Sequence, residues 1–470
     1  MSSKAVGSTR KLGHASAVSP LVKDLLAKDS RPLSPALKAS CQPETEAKRI
    51  PFSRYLDPQF AKLEMERLWS KVWQYACREE DIPAVGDRLC YEVGGLSFII
   101  VRSAANEIRA FHNSCMHRGN RLCDGQGSGE SLRCSFHAWE WKLDGSMLNL
   151  PSSWDFSQVD VERYRLPEAK VECWGGFVFI NPDSHAGPLK PVLGVLPEHF
   201  ASWKPEERFT FIHVRKLVRA NWKATMEAFL EAYHVIETHS DAMPFTGDAS
   251  TQYDIWDDGS SHISRLITPL GVPSPHLGDD ASVQAALDAV MQVFALAMGP
   301  DAVLPKFDAS KGTGRADIAE WRRQMLAAGF GRDFSGLCDA EIVDTIQYLM
   351  FPNFCPWYGE GLPLVYQFLP FGDNPNESVM DIRLLLPAPG GGIPCPPSAD
   401  IIELGFDEDF DAAPQLGLVA HIFNQDMGNL PKIQLGMKSA GPARAYATLG
   451  RYQESRIQHF HATLERYLGI

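Results

Sequence analysis

The chain has 470 residues, which is long enough for roughly two to three domains and a large core. Apolar residues make up 44% and charged residues 22%, as in ordinary globular proteins, so wholesale disorder and collagen-like or coiled-coil repeats are excluded. The formal net charge of −13 comes from 58 acids and 45 bases without a long basic block, which disfavours a nucleic-acid partner.

Nothing in the sequence predicts a membrane span or a secretory signal. The apolar runs have the length of strands, and no apolar segment follows the basic residues near the N-terminus. We therefore expect a cytoplasmic protein. In that compartment, ten cysteines indicate thiols or metal ligands before disulfides.

The predicted elements begin after an N-terminal arm. Residues 1–51 contain no Phe, Trp or Tyr and are rich in Ser, Ala, Lys and Pro. Burying so few apolar groups would compensate for little of the conformational entropy that is lost when a segment becomes ordered. We therefore predict that this arm is mobile. Apolar residues then recur at near-helical spacing over 52–79, which predicts a helix that docks on the catalytic domain.

Two domains are predicted after this helix. Short apolar runs separated by Gly, Asn and Asp over 80–190, with Asp144-Gly145 as a hairpin signal, indicate a small antiparallel β-domain. Residues 191–470 combine helical and strand-like segments, with a helical insertion at about 272–346. The expected fold class is α+β, with a larger catalytic domain behind the smaller β-domain.

The β-domain contains two short clusters that each offer one thiolate and one imidazole. They are Cys115-x-His117 and Cys134-x2-His137, separated by 16 residues. Two such clusters suit a metal centre held from both sides by two loops. A structural zinc site is the main alternative, although zinc pairs are usually spaced by two to four residues and the first pair here has one. Pairing one sulfur with one nitrogen in each loop is what a split-ligand [2Fe–2S] cluster requires.

The residues around these clusters, CMHRGNRLC and CSFHAWEWKLDG, resemble the cluster loops of the Rieske [2Fe–2S] domain in the oxygenase components of Rieske non-haem iron oxygenases. The resemblance implies that Cys115 and Cys134 hold the inner iron, and that His117 and His137 hold the outer iron. Cys123 lies between the two clusters and matches no ligand position, so we interpret it as a spare thiol.

A second candidate site lies in the segment NWKATMEAFLEAYHVIETH. Glu231 and His234 share one face of the predicted helix, and His239 is five residues beyond His234, which is ~140° around a straight helix. The helix must therefore break before His239 if both imidazoles are to bind one ion. Two histidines and one carboxylate are the ligand set of non-haem Fe(II) oxygenases, although buried histidine pairs are commoner than metal sites. A di-iron bundle needs two Glu-x-x-His motifs, whereas this chain has one.

The same segment resembles the mononuclear-iron helix of the Rieske oxygenases. The resemblance implies that His234 and His239 bind iron and that Glu231 is the carboxylate linking the two metal centres. Many ring-hydroxylating members have Asp at that linking position and Asn at the position of Ala228. Because the chain departs at both positions, it does not match the naphthalene-type subgroup.

The third iron ligand is expected in the predicted C-terminal helix, at about 415–437. The segment HIFNQDMGNLPKIQLGMKS resembles the family segment that supplies this ligand, and the matching acid is Asp426. Apolar neighbours surround Asp426 in sequence, and a buried acid needs a partner such as a metal. The competing acids are in a charge run typical of a solvated loop: Asp407, Glu408, Asp409 and Asp411.

The sequence shows no way to take electrons from a nicotinamide cofactor directly. No G-x-G-x-x-G motif follows a predicted strand, and there is no second cysteine run of the plant ferredoxin type. We therefore expect electrons to come from a ferredoxin, an NAD(P)H-dependent reductase, or both.

Together these resemblances cover roughly residues 52–440 and identify the chain as a member of the Rieske non-haem iron oxygenase alpha subunits. They imply a helix-grip (START-like) catalytic domain, a [2Fe–2S] cluster, mononuclear Fe(II), and a head-to-tail homotrimer or a multiple of it. A beta subunit is compatible with this family. The expected reaction uses O2 to hydroxylate, dihydroxylate or oxidatively demethylate a small substrate.

We expect an apolar substrate, aromatic or polycyclic, and a role in aromatic hydrocarbon catabolism. The residues that suggest this are in or near the helical insertion: Met291, Phe294, Met298, Ile346, Phe351 and Phe354. The alternative function is a Rieske electron-transfer or ligand-binding protein with a helix-grip domain and no oxygen chemistry.

Overall fold

The computed structural model describes residues 15, 16, 18–43, 46–298 and 304–470, with the backbone only for residues 295–298. The side chain of Met298, one of the residues that suggested an apolar substrate, therefore lies outside the described part. The fold class is α+β, as predicted: a small antiparallel β-domain precedes a larger domain built from one wide sheet and several helices.

The helices of the described residues are concentrated in the larger domain and in the segments that lead to it. In chain order they are α1 (Val22–Leu26), α2 (Pro35–Lys38), α3 (Ser53–Leu56), α4 (Pro58–Glu64), α5 (Leu189–Val192), α6 (Leu196–His199), α7 (Trp222–Glu227), α8 (Val283–Met298), α9 (Gly314–Phe330), α10 (Asp339–Val343), α11 (Leu418–Ser439) and α12 (Ser455–Leu468). Helix α4 continues as a π-helix over Met65–Trp69.

The strands of the small domain and of the segments before it are β1 (Arg49–Pro51), β2 (Gln74–Arg78), β3 (Arg88–Val93), β4 (Leu96–Ala104), β5 (Glu107–His112), β6 (Ser131–Arg133), β7 (Glu140–Lys142), β8 (Met147–Asn149), β9 (Glu168–Trp174) and β10 (Phe177–Asn181). Those of the large domain are β11 (Arg208–Val218), β12 (Gln252–Asp257), β13 (His262–Thr268), β14 (Thr345–Met350), β15 (Phe354–Tyr358), β16 (Leu364–Pro370), β17 (Ser378–Pro387), β18 (Ile401–Leu404) and β19 (Tyr446–Thr448).

Two sheets form the small domain. The larger has six strands in the order β2-β10-β9-β5-β4-β3, and the smaller is the meander β6-β7-β8, as far as the described residues extend. Gly145, with φ of 81°, lies in the tight turn between β7 and β8, at the predicted hairpin. Strand β2 falls inside the segment 52–79 that was predicted to dock on the catalytic domain. It pairs instead with β10, so the small sheet begins before residue 80.

An eight-stranded sheet is the centre of the large domain, in the order β12-β13-β14-β15-β16-β17-β11-β18. Neighbouring strands are antiparallel except β11 and β18, which pair in parallel. All seven residues of β13 are buried because the sheet is covered on both faces, in part by α12. Helices α7 and α11 pack together beside β16 and β11, and this packing brings the two segments of the second candidate site close to each other.

The N-terminal segment packs on the large domain. Val22 and Leu37 are buried in the same apolar cluster as residues of β10, β13 and β14. The guanidinium of Arg265 in β13 donates a hydrogen bond of 2.5 Å to the carbonyl of Ala36. A few buried side chains and a buried cation therefore hold this part of the chain in place.

This packing differs from the expectation of a mobile arm at 1–51. Composition alone missed it because the segment supplies only a few apolar side chains, and their cavities are formed by distant parts of the large domain. Residues 1–14, 17, 44 and 45 of the expected arm lie outside the described residues.

We predict that Leu37→Ala releases the arm locally. Truncating a buried leucine costs about 2–5 kcal/mol, so proteolysis near α2 by a protease of broad specificity such as subtilisin should accelerate by roughly 30-fold or more. The matched control is Lys38→Ala, because the neighbouring Lys38 is exposed. Equal cleavage rates for both variants and the parent protein would contradict the packing of the arm.

Helix prediction in the large domain was partly correct. The insertion at about 272–346 contains α8, α9 and α10, and the C-terminal helix expected at about 415–437 is α11. Helix α12 was not predicted, although its buried face packs on β12 and β13. Among the helices of the described residues, none combines the length and the apolar character that crossing a membrane requires.

Two candidate metal sites

The two Cys/His clusters of the small domain lie in two loops with the same hydrogen-bond pattern. The first loop follows β5: Cys115 N–H donates to the Asn120 carbonyl at 2.8 Å, and Gly119 N–H donates to the Cys115 carbonyl at 2.8 Å. The second follows β6: Cys134 N–H donates to the Trp139 carbonyl at 2.8 Å, and Ala138 N–H donates to the Cys134 carbonyl at 3.0 Å.

In each loop, one residue has backbone angles in the left-handed region, with a positive φ. Gly119 has φ of 78° in the first loop and Ala138 has φ of 60° in the second. A non-glycine residue in this conformation is uncommon, and it is retained where surrounding contacts require it. The two loops therefore present their cysteine and histidine side chains in matching ways.

The four expected cluster ligands are divided by depth. Cys115 and Cys134 are each 2% exposed, whereas His117 is half-buried and His137 is exposed. The imidazole rings of the two histidines are 4.6 Å apart between centroids. This places the sulfur ligands inside and the nitrogen ligands at the surface, the arrangement that the resemblance implies for the inner and outer irons.

The polar contacts of Cys134 favour a thiolate. Phe136 N–H points at its Sγ over 3.4 Å, and the Asn120 side-chain amide over 3.6 Å. Burial acts to raise the pKa of this thiol, but these donors and the backbone N–H of His137 lower it overall. Trp139 is buried and stacks on the His117 ring at 4.8 Å, so it orients one outer ligand. This donor set fits a [2Fe–2S] cluster bound by two thiolates and two imidazoles.

The segment of the second candidate site is not one continuous helix. Asn221 caps the start of α7 by accepting the Lys223 N–H, and α7 ends at Glu227. Tyr233 lies beyond this end and is 48% exposed, although uninterrupted helical spacing would have placed it on the buried stripe. The expected helix break before His239 is present, but it comes earlier than Glu231.

Tertiary contacts explain the early break. The N–H of Ala232 donates to the hydroxyl of Tyr253 at 3.1 Å, and the carbonyl of Leu230 accepts from Arg456 at 3.2 Å. Backbone groups that would continue α7 are thus taken by partners from elsewhere in the fold. Residues Tyr233–Ile236 then form a single 3₁₀ turn that carries His234.

The structure brings together His234, His239 and Asp426, the three expected ligands of the mononuclear iron. One ligand atom from each lies within 4.8 Å of the others. Asp426 Oδ1 is 3.3 Å from His239 Nε2 and 3.8 Å from His234 Nε2. Two imidazoles and one carboxylate that face one metal position from the same side form a facial triad. Such a triad leaves the coordination positions on the opposite side of the metal open.

Both histidines are oriented by a second hydrogen bond. His234 Nδ1 is 2.8 Å from Glu231 Oε1, and His239 Nδ1 is 2.7 Å from Gln425 Oε1. Because each partner atom is an acceptor, Nδ1 donates to it in both rings, and Nε2 is the ring atom that faces Asp426. Outer hydrogen bonds of this kind are typical of metal-binding histidines.

Asp426 carries the clearest sign of a missing partner. It is 3% exposed, and its Oδ2 has no hydrogen-bond donor among the described residues. Burial acts to lower the pKa of the neighbouring His234, but the charges of Glu231 and Asp426 outweigh it and raise this pKa to about 9. An unpaired buried carboxylate beside two imidazoles fits a divalent cation.

The other acids considered as the third ligand lie elsewhere. Asp407 pairs with Arg219, Glu408 accepts the Gly405 N–H, and Asp411 accepts the side-chain amide of Asn424. None of them belongs to the cluster around His234 and His239 in the part of the chain that the structure describes.

Gln425 was missed in the sequence. It precedes Asp426, and no motif marks it, because its role depends on α11 passing beside His239. Its amide group also donates to Asp241 Oδ1 at 3.2 Å, and the Asn429 amide donates to Thr238 Oγ1 at 3.2 Å. These contacts attach the loop that carries His239 to α11.

We predict that Gln425→Ala weakens mononuclear iron binding by about 10–100-fold, because His239 loses the acceptor that sets its tautomer. The measurement is iron retained during titration with a chelator that spares the cluster. His421→Ala is the matched control, since the exposed His421 contacts the same Asp241 one helical turn away. Equal iron affinity for Gln425→Ala and His421→Ala would contradict this role.

Comparisons with known proteins show the family of each domain. The Rieske [2Fe-2S] domain family matches residues 72–164. The family described as ring hydroxylating alpha subunit (catalytic domain) matches residues 198–470, which is more than half of the chain.

The relatives include two oxygenase subunits. The carnitine monooxygenase oxygenase subunit of Escherichia coli K12 is 31% identical over 202 residues, covering 42% of this chain and 54% of the relative. The glycine betaine monooxygenase oxygenase subunit of Pseudomonas aeruginosa is 28% identical over 216 residues, covering 45% of this chain and 50% of the relative. The match therefore spans about half the length of these curated relatives.

Among solved structures, a quaternary ammonium Rieske monooxygenase in complex with L-carnitine superposes with a TM-score of 0.60 at 17% identity. The superposition covers 90% of this chain and 96% of that one, which confirms the expected fold. The compounds named for these proteins are quaternary amines, so the expected role in aromatic hydrocarbon catabolism is not supported.

Proposed function

The chain belongs to the ring-hydroxylating alpha-subunit family of Rieske oxygenases, and from this premise we propose that it is the terminal oxygenase component of a multicomponent system. The observation that carries the proposal is the buried carboxylate of Asp426, whose Oδ2 has no donor and which faces two oriented imidazoles. When bound, the [2Fe–2S] cluster supplies electron transfer and the Fe(II) ion supplies oxygen activation.

In this proposal the cluster ligands are Cys115, His117, Cys134 and His137, and the iron ligands are His234, His239 and Asp426. The protein's own contribution is to orient these groups. Glu231 and Gln425 each accept from Nδ1 of one imidazole, so that Nε2 is the ring atom left to bind the metal. The burial of His239 and Asp426 keeps bulk water away from two of the three ligand atoms.

The alternative is a Rieske protein that transfers electrons or binds a ligand without oxygen chemistry. Iron analysis separates the two functions. Roughly three irons per chain support the oxygenase, and about two would leave only the cluster. The oriented triad favours three irons, because a ligand-binding cavity alone needs no unpaired buried carboxylate.

For the substrate, we propose a methylated quaternary ammonium compound that undergoes oxygenation at a methyl group and is thereby demethylated. One observation favours a cation. Several of the relatives are named for carnitine or glycine betaine, although a relative named for anthranilate is also similar.

The assay that tests this function is oxygen uptake by the purified holoprotein with a surrogate ferredoxin and an NAD(P)H-dependent reductase. Carnitine and glycine betaine are the substrates expected to couple uptake to formaldehyde release. Naphthalene serves as the comparison for an apolar aromatic substrate. Uptake with naphthalene alone would overturn the substrate class but keep the oxygenase. About two irons per chain, without oxygen uptake with any of these substrates, would favour the alternative function.

We propose that electrons pass between chains, from the cluster of one subunit to the iron of the next in a head-to-tail trimer. Exposed apolar side chains lie at both ends of this path. Phe136 is 57% exposed beside His137, and Tyr233 is 48% exposed beside His234. When a surface patch on one subunit fits a different patch on the next subunit, repeated contacts of this kind can close the subunits into a ring.

Glu231 is the carboxylate that we propose to link the two centres. Its Oε1 binds His234 Nδ1, and its Oε2 accepts the backbone N–H of His234 at 3.0 Å. Oε2 has a second lone pair, which is free to accept an N–H from His137 of a neighbouring copy. In this proposal Glu231 holds the outer cluster ligand and the iron ligand in one hydrogen-bonded path.

We predict that Glu231→Gln keeps both metal centres and lowers coupled turnover by at least about 10–100-fold. The measurement pairs iron content and the reduced-state EPR signal with oxygen uptake. Glu237→Gln is the matched control, because Glu237 is an exposed acid in the same segment. Full turnover of Glu231→Gln would remove Glu231 from the electron path.

Mixed oligomers test whether electrons pass between chains or within one chain. Subunits with His137→Ala lack a working cluster, and subunits with His234→Ala lack working iron, so each homo-oligomer should be inactive. Mixing the two should restore partial activity if the cluster of one chain serves the iron of another. Mixed oligomers that form and stay inactive would place electron transfer within one chain.

A further inference from the structure

The further inference concerns Cys90 and Cys123, two thiols of the small domain outside both proposed metal sites. Cys90 lies in β3, and Cys123 follows the loop that carries Cys115 and His117. The Cys90 thiol donates to the Cys123 carbonyl at 3.2 Å, which places the Cys90 sulfur against the backbone of Cys123.

The backbone holds this pair in register. Residues 123–127 run antiparallel to β3: Cys90 N–H donates to the Gly125 carbonyl at 3.0 Å, and Arg88 and Gly127 exchange two hydrogen bonds of 2.8 and 2.9 Å. In this register Cys90 lies opposite Gly125, and Cys123 is the diagonal neighbour of Cys90 on the same face of the ladder.

Asn113 connects the thiol pair to the ligand loop. Its amide donates to the Cys123 carbonyl at 2.7 Å and to Cys90 Sγ at 3.6 Å, and its Oδ1 accepts the N–H of Cys123 at 3.0 Å. Asn113 is two residues before Cys115. A covalent bond between the two thiols would thus attach the first ligand loop to β3 at a second point.

The pair combines one thiol at the wall of a cleft with one buried, reactive thiol. Cys90 lines an open cleft of about 1050 Å³ between the small domain and the large sheet, together with Arg121 and Asp124. The neighbouring Cys90 thiol and the Arg88 charge lower the pKa of Cys123 to about 7 against the effect of burial. At neutral pH a large share of Cys123 is thiolate, the form that reacts with oxidants.

We propose that Cys90 and Cys123 form a reversible disulfide that fastens the first ligand loop to β3 when the protein meets hydrogen peroxide. The Cys123 thiolate attacks one peroxide oxygen, which gives a sulfenic acid and releases hydroxide. The Cys90 sulfur then displaces the sulfenic hydroxyl, which leaves as water after taking the Cys90 proton, and the S–S bond forms. Two thiols are oxidised by two electrons, and one peroxide is reduced.

The test exposes the reduced holoprotein to a small excess of hydrogen peroxide, alkylates the remaining thiols, and maps the peptides without reduction. We expect one linked peptide joining Cys90 to Cys123, which dithiothreitol cleaves. The exposed cysteines, Cys41, Cys173 and Cys395, are internal controls for general thiol oxidation. If these react while Cys90 and Cys123 are both recovered as alkylated single peptides, the proposal is wrong.

Two variants make the test specific. Cys123→Ser should abolish the linked peptide, and Cys90→Ser should leave Cys123 as a sulfenic acid that dimedone captures. A second readout is the rate at which a strong iron chelator bleaches the cluster, which should fall several-fold in the oxidised parent protein and stay unchanged in Cys90→Ser. An unchanged rate in the crosslinked parent would overturn the fastening of the loop.

Discussion

Asp426→Ala should remove the mononuclear iron and abolish coupled turnover while the cluster stays intact. The reason is geometric: Asp426 supplies the carboxylate of the proposed triad, and the cluster ligands lie in a different domain and share no residue with it. We expect iron to fall from roughly three to about two per chain, with the reduced-state EPR signal of the cluster unchanged.

This variant should also fold well. In the metal-free protein, Asp426 is a buried carboxylate with one oxygen that has no donor, so its removal relieves a desolvation cost. We expect the thermal midpoint of the metal-free variant to equal or exceed that of the metal-free parent. Loss of iron accompanied by a large drop in this midpoint would mean that the aspartate supports the fold and not a metal.

Glu408→Ala is the matched control for the third ligand. Glu408 was the nearest competitor in the sequence, and in the structure it accepts the backbone N–H of Gly405 in the loop after β18. It should retain all iron and full turnover. If Glu408→Ala loses the mononuclear iron while Asp426→Ala keeps it, the third ligand is misassigned.

Cys134→Ala should abolish the visible absorption and the reduced-state EPR signal of the cluster, and with them all coupled turnover. A [2Fe–2S] cluster cannot stay bound when one of its two buried thiolates is removed, because the three remaining ligands leave one iron without its full coordination. His137→Ala should have the same effect on the EPR signal through loss of an outer ligand. The mononuclear iron should remain at about one per chain.

Cys123→Ala is the control for this second prediction. It removes a buried cysteine from the same small domain but leaves all four proposed ligands in place. Its spectrum should match that of the parent protein. Zinc in the parent protein, without iron or acid-labile sulfide, would contradict the cluster assignment for both Cys134 and His137.

How much the sequence predicts is clearest in the small domain. Both Cys/His clusters are local: each spans three or four residues, and each ligand pair sits in one turn closed by its own backbone hydrogen bonds. Local spacing therefore determined which residues meet there. The hairpin at Asp144-Gly145 was predictable for the same reason, since its turn chemistry is contained in two residues.

For the proposed iron site, the sequence predicted which residues take part but not how the fold brings them together. His234, His239 and Asp426 were named from short motifs, but their meeting depends on where α7 ends. That end is set by Tyr253 and Arg456, which take the backbone groups of Ala232 and Leu230 from distant elements. Helix periodicity contains no information about such partners, so it extended the helix too far.

Local pattern and spacing were enough to predict the α+β class, the two Cys/His and His/carboxylate motifs and the lack of a nicotinamide-binding motif. They did not predict the packing of the N-terminal segment, the contact of Gln425 with His239, or the burial that leaves Asp426 Oδ2 without a donor among the described residues. These features arise from contacts between residues far apart in the chain, whose energies depend on the shape of cavities that no local pattern encodes.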